Sequence, residues 1–143
     1  MKRNLINQMK LIFASESKNE SFARSAVTAF VTQLDPTTEE LADIRTAVSE
    51  AVTNAILHGY RGGAGNVTVS VKLYDDRTVR LMIRDNGCGI ADIEQAKMPL
   101  FTTDHSGERG GMGFVIMESF CDSMTVRSKL GHGTTVLLSK RFR

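Results

Sequence analysis

Three short stretches of this 143-residue chain carry side chains whose type and spacing suit them to chemistry. The first is Glu50-x-x-x-Asn54, within the run from Ser49 to Gly59. At about 100° per residue, a carboxylate and a carboxamide four positions apart stand one above the other on a helix. So placed, they sit on the lip of whatever that helix helps to enclose. The second is Asp85-x-Gly87-x-Gly89, at the end of a strand-like run. A carboxylate there can accept a hydrogen bond from an exocyclic amine such as that of adenine, and the glycines let the backbone approach a flat ring. The third is Arg109-Gly110-Gly111-Met112-Gly113, which opens a helical pattern. Glycine-rich backbone before a helix N-terminus offers N–H groups to an anion, the helix dipole adds to them, and Arg109 can bring charge to a terminal phosphate.

Taken singly, each stretch has a plainer explanation: a solvated helix face, a loop turn, a flexible hinge. The third is not a Walker A loop, since no Gly-Lys-Ser/Thr follows. Nor is it a dinucleotide fingerprint, since no strand leads into it and no βαβ unit surrounds it.

The elements that position these residues follow from periodicity. Met9 to Phe13 reads as a first strand near a sheet edge. Phe22, Ala26, Val27, Phe30 and Leu34 predict a helix from about Glu20 to Leu34, with Arg24 exposed on its outer side. Asp35-Pro36 ends that helix, and Thr37 with Glu40 forms a capping box for the next. Leu41, Ile44, Val48, Ala51, Val52 and Ala55 make its apolar stripe, Glu50 and Asn54 lie beside the stripe, and Gly59 is the stop. Val67, Val69, Val71 and Leu73, then Val79, Leu81 and Ile83, alternate as two strands of an antiparallel hairpin turning at Asp75-Asp76-Arg77.

A short helix is expected from Ile93 to Lys97, cut off by Pro99. The segment from Leu100 to Gly111 lacks periodicity and reads as a lid-like loop. Met112 to Cys121 is helical again, Val126 lies in a strand, Gly131-His132-Gly133 turns, and Thr134 to Leu138 closes the sheet. The order implies one α+β domain over residues 1–143, a two-layer sandwich of helices on a mostly antiparallel sheet.

Bulk properties narrow the function. An apolar fraction of 41% and a charged fraction of 24% are ordinary for a globular protein. A net charge of +2, evenly spread, disfavours direct binding of nucleic acid. No apolar run approaches a membrane span and no signal peptide leads the chain, so a cytoplasmic protein is expected. Cys88 and Cys121 lack metal-ligand spacing and are expected to be reduced thiols, and His58, His105 and His132 are too scattered to suggest a metal site.

Together, and in this order, Glu50-x-x-x-Asn54, Asp85-x-Gly87-x-Gly89 and Gly111-x-Gly113 resemble the Bergerat ATP-binding fold of gyrase-type topoisomerases, mismatch-repair ATPases, heat-shock chaperones and histidine kinases. Phe22-Ala23-Arg24, Gln33 to Thr37, Ser49 to Tyr60, Pro99 to Thr103 and Gly111 to Phe114 narrow the match. From about Met9 to Leu138 the chain is similar to the bacterial anti-sigma factor serine kinases, and most of all to their sporulation branch.

The resemblance implies a homodimer that holds a sigma factor of the sigma F kind inactive and phosphorylates a serine on an anti-anti-sigma factor, using ATP and Mg²⁺. By matching position it makes Glu50 the general base and Asn54 a Mg²⁺ ligand. Asp85 would bind the adenine amine, with Thr134 as a further polar contact. Gly87, Gly89, Gly111 and Gly113 would shape the nucleotide site, Arg109 would meet the γ-phosphate, and Arg24 would contact both protein partners. The kinase of the general stress response, and a nucleotide-gated binding module without kinase activity, are the alternative readings.

Overall fold

The computed structural model describes residues 3–59, 65–87 and 113–143. Within them, strands β1 (Leu5–Ala14), β2 (Asn66–Tyr74), β3 (Thr78–Asp85), β4 (Ser123–Lys129) and β5 (Gly133–Arg141) form one sheet of order β1-β2-β3-β5-β4. Every pairing is antiparallel. The final strand slots between β3 and β4, so β4 and β1 are the edges. Helices α1 (Lys18–Val31), α2 (Thr38–Asn54) and α3 (Gly113–Phe120) supply the second layer. The expected α+β sandwich is the fold observed, and no helix among the described residues is long and apolar enough to cross a membrane.

Alternation decides which face of the sheet meets the helices. Val67, Val69, Val71 and Leu73 of β2, with Val79, Leu81 and Ile83 of β3, are all buried in the core. Register extends that face across β5, where Val136 and Leu138 stand opposite Ile83 and Leu81. The intervening Lys72, Arg80 and Arg84 face solvent. Burying such a row of β-branched and aliphatic side chains against helices is the main driving force for this architecture.

The first strand is at an edge, as expected, but is twice the length anticipated. Leu5 to Gln8 are all exposed, so no alternation marks them; backbone pairing with β2 extends the strand instead.

Helix α1 keeps Val27 and Leu34 of its expected stripe in the core and packs Phe30 against it, but its first turn departs from expectation. Ala23, Val27 and Val31 are its buried residues, whereas Phe22 is 57% exposed. The buried line thus runs through Ala23 and Val31 as well as Val27, with Phe22 turned outward. Regular winding also stops at Val31, and Thr32–Leu34 tighten into a 3₁₀ turn before Asp35, which adopts φ 49°.

Helix α2 begins with the anticipated capping box: the Glu40 N–H donates to Thr37 Oγ1 at 3.1 Å and the Thr37 N–H to Glu40 Oε1 at 2.9 Å. The same carboxylate accepts the backbone N–H of Arg143 at 2.7 Å through Oε2, tying the end of β5 to the start of α2. Buried Ile44, Ala47, Val48, Ala51 and Val52 form the stripe.

Candidate functional site

Winding decides where Glu50 and Asn54 point. α2 is regular up to Asn54, and Ala55–Gly59 continue it as one π-helical turn that ends at Gly59. Such turns are uncommon and recur at functional sites. This one packs on β3 and β5. The Asn54 end of α2 therefore lies over the two strands that carry Asp85 and Thr134. Glu50 and Asn54 are both half-buried, one turn apart, and Oε2 of Glu50 is withdrawn from solvent.

Asp85 closes β3 with its side chain on the helix-facing side of the sheet, in line with Leu81 and Ile83. It is only 5% exposed. Its Oδ1 accepts the Gly87 N–H at 2.9 Å, an Asx-type turn that fixes the start of the following loop. Burial pushes the Asp85 carboxyl above its ordinary range, and the Gly87 and Thr134 N–H groups hold it back in part.

Thr134 is the register partner of Asp85 and is itself buried. Its Oγ1 lies 2.8 Å from Oγ of Ser128, which also donates to the Gly133 carbonyl at 2.8 Å. Gly133, the first residue of β5, has φ +91° and approaches Asp85 so closely that a Cβ there would stand 2.2 Å from the Asp85 carbonyl oxygen. These residues line an open depression of about 320 Å³ at the β3–β5–β4 end of the sheet.

The structure thus brings Asp85 and Thr134 together and sets Gly87 beside them. Sequence reasoning missed Gly133 and Ser128 as members of this cluster. Gly133 was visible only as a turn residue, because its contact with Asp85 depends on the β3–β5 register. Ser128 carries no local signal at all. Gly113 opens α3, which packs along α2. Gly89, Arg109, Gly111, the Ile93–Lys97 helix and the lid-like loop lie outside the described residues.

Arg24 is less exposed than expected. Its side chain is 37% exposed, and its guanidinium leans on Glu20 at 3.4 Å and on Ser21 Oγ at 3.4 Å. Cys121 is a free thiol, and burial pushes it up to about 11, so it is protonated and unreactive near neutrality. Among the described residues no three His, Cys, Asp or Glu side chains cluster as a metal site.

Residues 13–140 match the family of histidine kinase-like ATPase domains. The chain is 56% identical over 137 residues to the anti-sigma F factor of Geobacillus stearothermophilus, covering 95% of this chain and 93% of that one. It is 56% identical over 135 residues to the anti-sigma F factor of Priestia megaterium, covering 94% and 92%. Among solved structures, the RsbU and RsbW domains of a Mycobacterium tuberculosis protein superpose with a TM-score of 0.69 at 20% identity, over 96% of this chain and 32% of that one. The mycobacterial sensor histidine kinase MprB superposes with a TM-score of 0.59 at 16% identity, over 94% of this chain and 99% of that one. The structural likenesses speak to the fold, and the sequence matches to the branch within it: the chain belongs to the histidine kinase-like ATPase domains, in the family of the anti-sigma F factors.

Proposed function

We propose that the chain binds and inhibits a sporulation sigma factor of the sigma F kind and, using ATP and Mg²⁺, phosphorylates a serine of an anti-anti-sigma protein. The observation that carries the nucleotide half is Asp85: a buried carboxylate backed by Gly133 and Thr134, beneath the helix end that bears Asn54. A carboxylate so placed accepts a hydrogen bond from the adenine amine, and the glycine at its back leaves the backbone room to lie close. The protein-binding half rests on the 56% identity to anti-sigma F factors over nearly the full length of both chains.

Phosphoryl transfer needs placement and charge neutralisation more than covalent chemistry. In this reading Glu50 accepts the proton of the substrate serine as its hydroxyl oxygen bonds to the γ-phosphorus, and the bond from that phosphorus to the bridging β-phosphate oxygen breaks, releasing ADP. Asn54, one turn further on, would hold Mg²⁺ through its carboxamide oxygen. A single hard oxygen ligand fits this ion, which takes most of its coordination from phosphates and water. Bound there, Mg²⁺ would neutralise charge on the phosphates.

Gly87, Gly89, Gly111 and Gly113 give the backbone its close approach to the nucleotide, and Arg109 meets the γ-phosphate. Arg24 on α1 contacts both protein partners. A homodimeric state and a cytoplasmic location belong to the same reading.

Incubation with γ-labelled ATP and a candidate anti-anti-sigma protein tests the chemistry. Label on a serine of that protein is expected. Nucleotide-dependent complex formation without transfer would make the chain a gated binding module instead. Pull-down against a sporulation and a stress-response sigma factor in parallel tests the partner, and retention of only the latter would reassign it.

A further inference from the structure

Arg24 and the residue preceding Glu50 meet at one carboxylate oxygen. Glu20, in the first turn of α1, accepts the Ser49 hydroxyl of α2 at Oε1, and the same Oε1 faces Nη1 of Arg24 at 3.4 Å. Glu20 is well covered, its side chain 15% exposed, while Arg24 is 37% exposed. The two donors are therefore unequal. A covered carboxylate depends strongly on its hydrogen-bond donors, whereas a long contact to a half-exposed guanidinium is weak and easily exchanged for another anion.

We propose that Glu20 and Ser49 are positioning residues that couple the partner-binding side of α1 to the Glu50 turn of α2. When an anionic group of a protein partner draws Arg24 away, Ser49 is the donor left to Glu20 Oε1 among the described residues, and the α1–α2 tie at that level tightens. The stretch held by this tie begins one residue before Glu50 and ends at the π turn, where α2 has its least regular winding. Docking on α1 thereby orders the stretch that carries Glu50 and Asn54 through the helix pair itself, before the substrate serine is in place. This coupling rests on the proposed roles of Arg24 and Glu50, and on no contact between Glu20 and substrate.

Ser49→Ala removes the tie and keeps the Arg24–Glu20 pair; Ser49→Thr keeps a hydroxyl. With the anti-anti-sigma protein as substrate, Ser49→Ala should lower kcat about tenfold, the scale of one hydrogen bond to a charged group, with KM within about twofold. Ser49→Thr should recover most of the loss. Equal behaviour of the Ala and Thr variants, or a loss confined to KM, would overturn the proposal.

A second measurement needs no kinase activity. Arg24→Ala mimics withdrawal of the guanidinium, so hydrogen exchange at the amides of residues 49–54 should slow in that variant relative to the unsubstituted protein. The effect should vanish in the Arg24→Ala/Ser49→Ala pair. Unchanged exchange in Arg24→Ala, or the same change in both backgrounds, would defeat the coupling even if serine phosphorylation is confirmed. Conversely, a protein without transfer activity that shows the exchange pattern would retain the coupling and lose the kinase reading.

Discussion

Gly133 and Asp85 are packed backbone to backbone: with Gly133 at φ +91°, a side chain on it would fall 2.2 Å from the Asp85 carbonyl oxygen and 2.7 Å from the Asn86 Cα. No flexible side chain is available to move aside, so Gly133→Ala must shift β3 or β5 at the point where Asp85 leaves the sheet. The left-handed backbone adds its own cost. Thermal or urea unfolding should show a loss of about 2 kcal/mol or more. ADP affinity should fall with it, because the displaced backbone carries the Asp85 carboxylate.

Gly131, two residues earlier, separates the two causes. It also has positive φ, at +83°, but a Cβ there meets nothing within 4 Å. Gly131→Ala should therefore cost only about 1 kcal/mol of conformational strain and leave ADP binding intact. Equal effects at both glycines would mean that strain, not the contact with Asp85, is what matters.

Asp85 itself links binding to pH. Burial raises its carboxyl above the ordinary 3.8, so the folded apo-protein takes up a proton more readily than the unfolded chain does. Its contribution to stability is then complete below the unfolded value and is lost as pH rises through the raised folded value. Asp85→Asn should flatten that part of the stability profile and leave the apo-protein at least as stable at pH 7, since the Asn oxygen can still accept the Gly87 N–H. ADP and ATP affinity should drop together by about tenfold, the worth of one hydrogen bond to a charged acceptor. Calorimetry with ADP at pH 7 decides it: unchanged affinity would remove Asp85 from the adenine site.

The parts of this molecule that were legible beforehand are those encoded locally. The capping box at Thr37 and Glu40, the α2 stripe and the β2–β3 hairpin each follow from spacing alone, and all three are present. The first turn of α1 was harder: Phe22 and Ala23 both lie at helical spacing from the Ala26–Val27 pair, and only packing decides that Ala23 is the buried one. The candidate site divides along the same line. Glu50-x-x-x-Asn54 and Asp85-x-Gly87 are short-range patterns. The Gly133–Asp85 contact and the Ser128–Thr134 pair arise from strand register between distant segments, which no local pattern announces. Register also hid the burial of Asp85, since a carboxylate before a glycine turn ordinarily faces water.

Arg77 predicts a purely structural phenotype. It sits in the β2–β3 turn at φ 68°, and its guanidinium donates to the carbonyls of Leu34 at 2.9 Å, Asp35 at 2.7 Å and Arg143 at 2.7 Å. One side chain thus closes the junction of α1, α2 and the end of β5. Arg77→Ala should destabilise the fold by about 1–3 kcal/mol, since charged donors to carbonyls are worth more than neutral ones but this site is partly exposed. Arg77→Gly relieves the positive φ and should lose less, provided that strain contributes as well as the bonds. ADP affinity measured on the folded fraction should be unchanged in both, because the turn lies at the opposite end of β3 from Asp85. A variant as stable as the parent would show that these carbonyls are served equally well by water.

Glu50→Gln separates catalysis from binding. The substitution keeps the shape and a carbonyl acceptor at a half-buried position, so α2 should hold its packing and Asn54 its place. What it removes is the ability to take a proton. If Glu50 is the base, phosphotransfer to the anti-anti-sigma serine should fall by roughly 10²–10⁴-fold, while ADP affinity, sigma-factor retention and melting temperature stay near the parent's. Single-turnover transfer with pre-bound ATP is the measurement to make, because it excludes ADP release as the limiting step. Near-parental transfer would show that the serine reacts without a base at this position. A parallel loss of ADP affinity would instead place Glu50 among the groups that shape the nucleotide site, and the search for the proton acceptor would move to residues beyond α2.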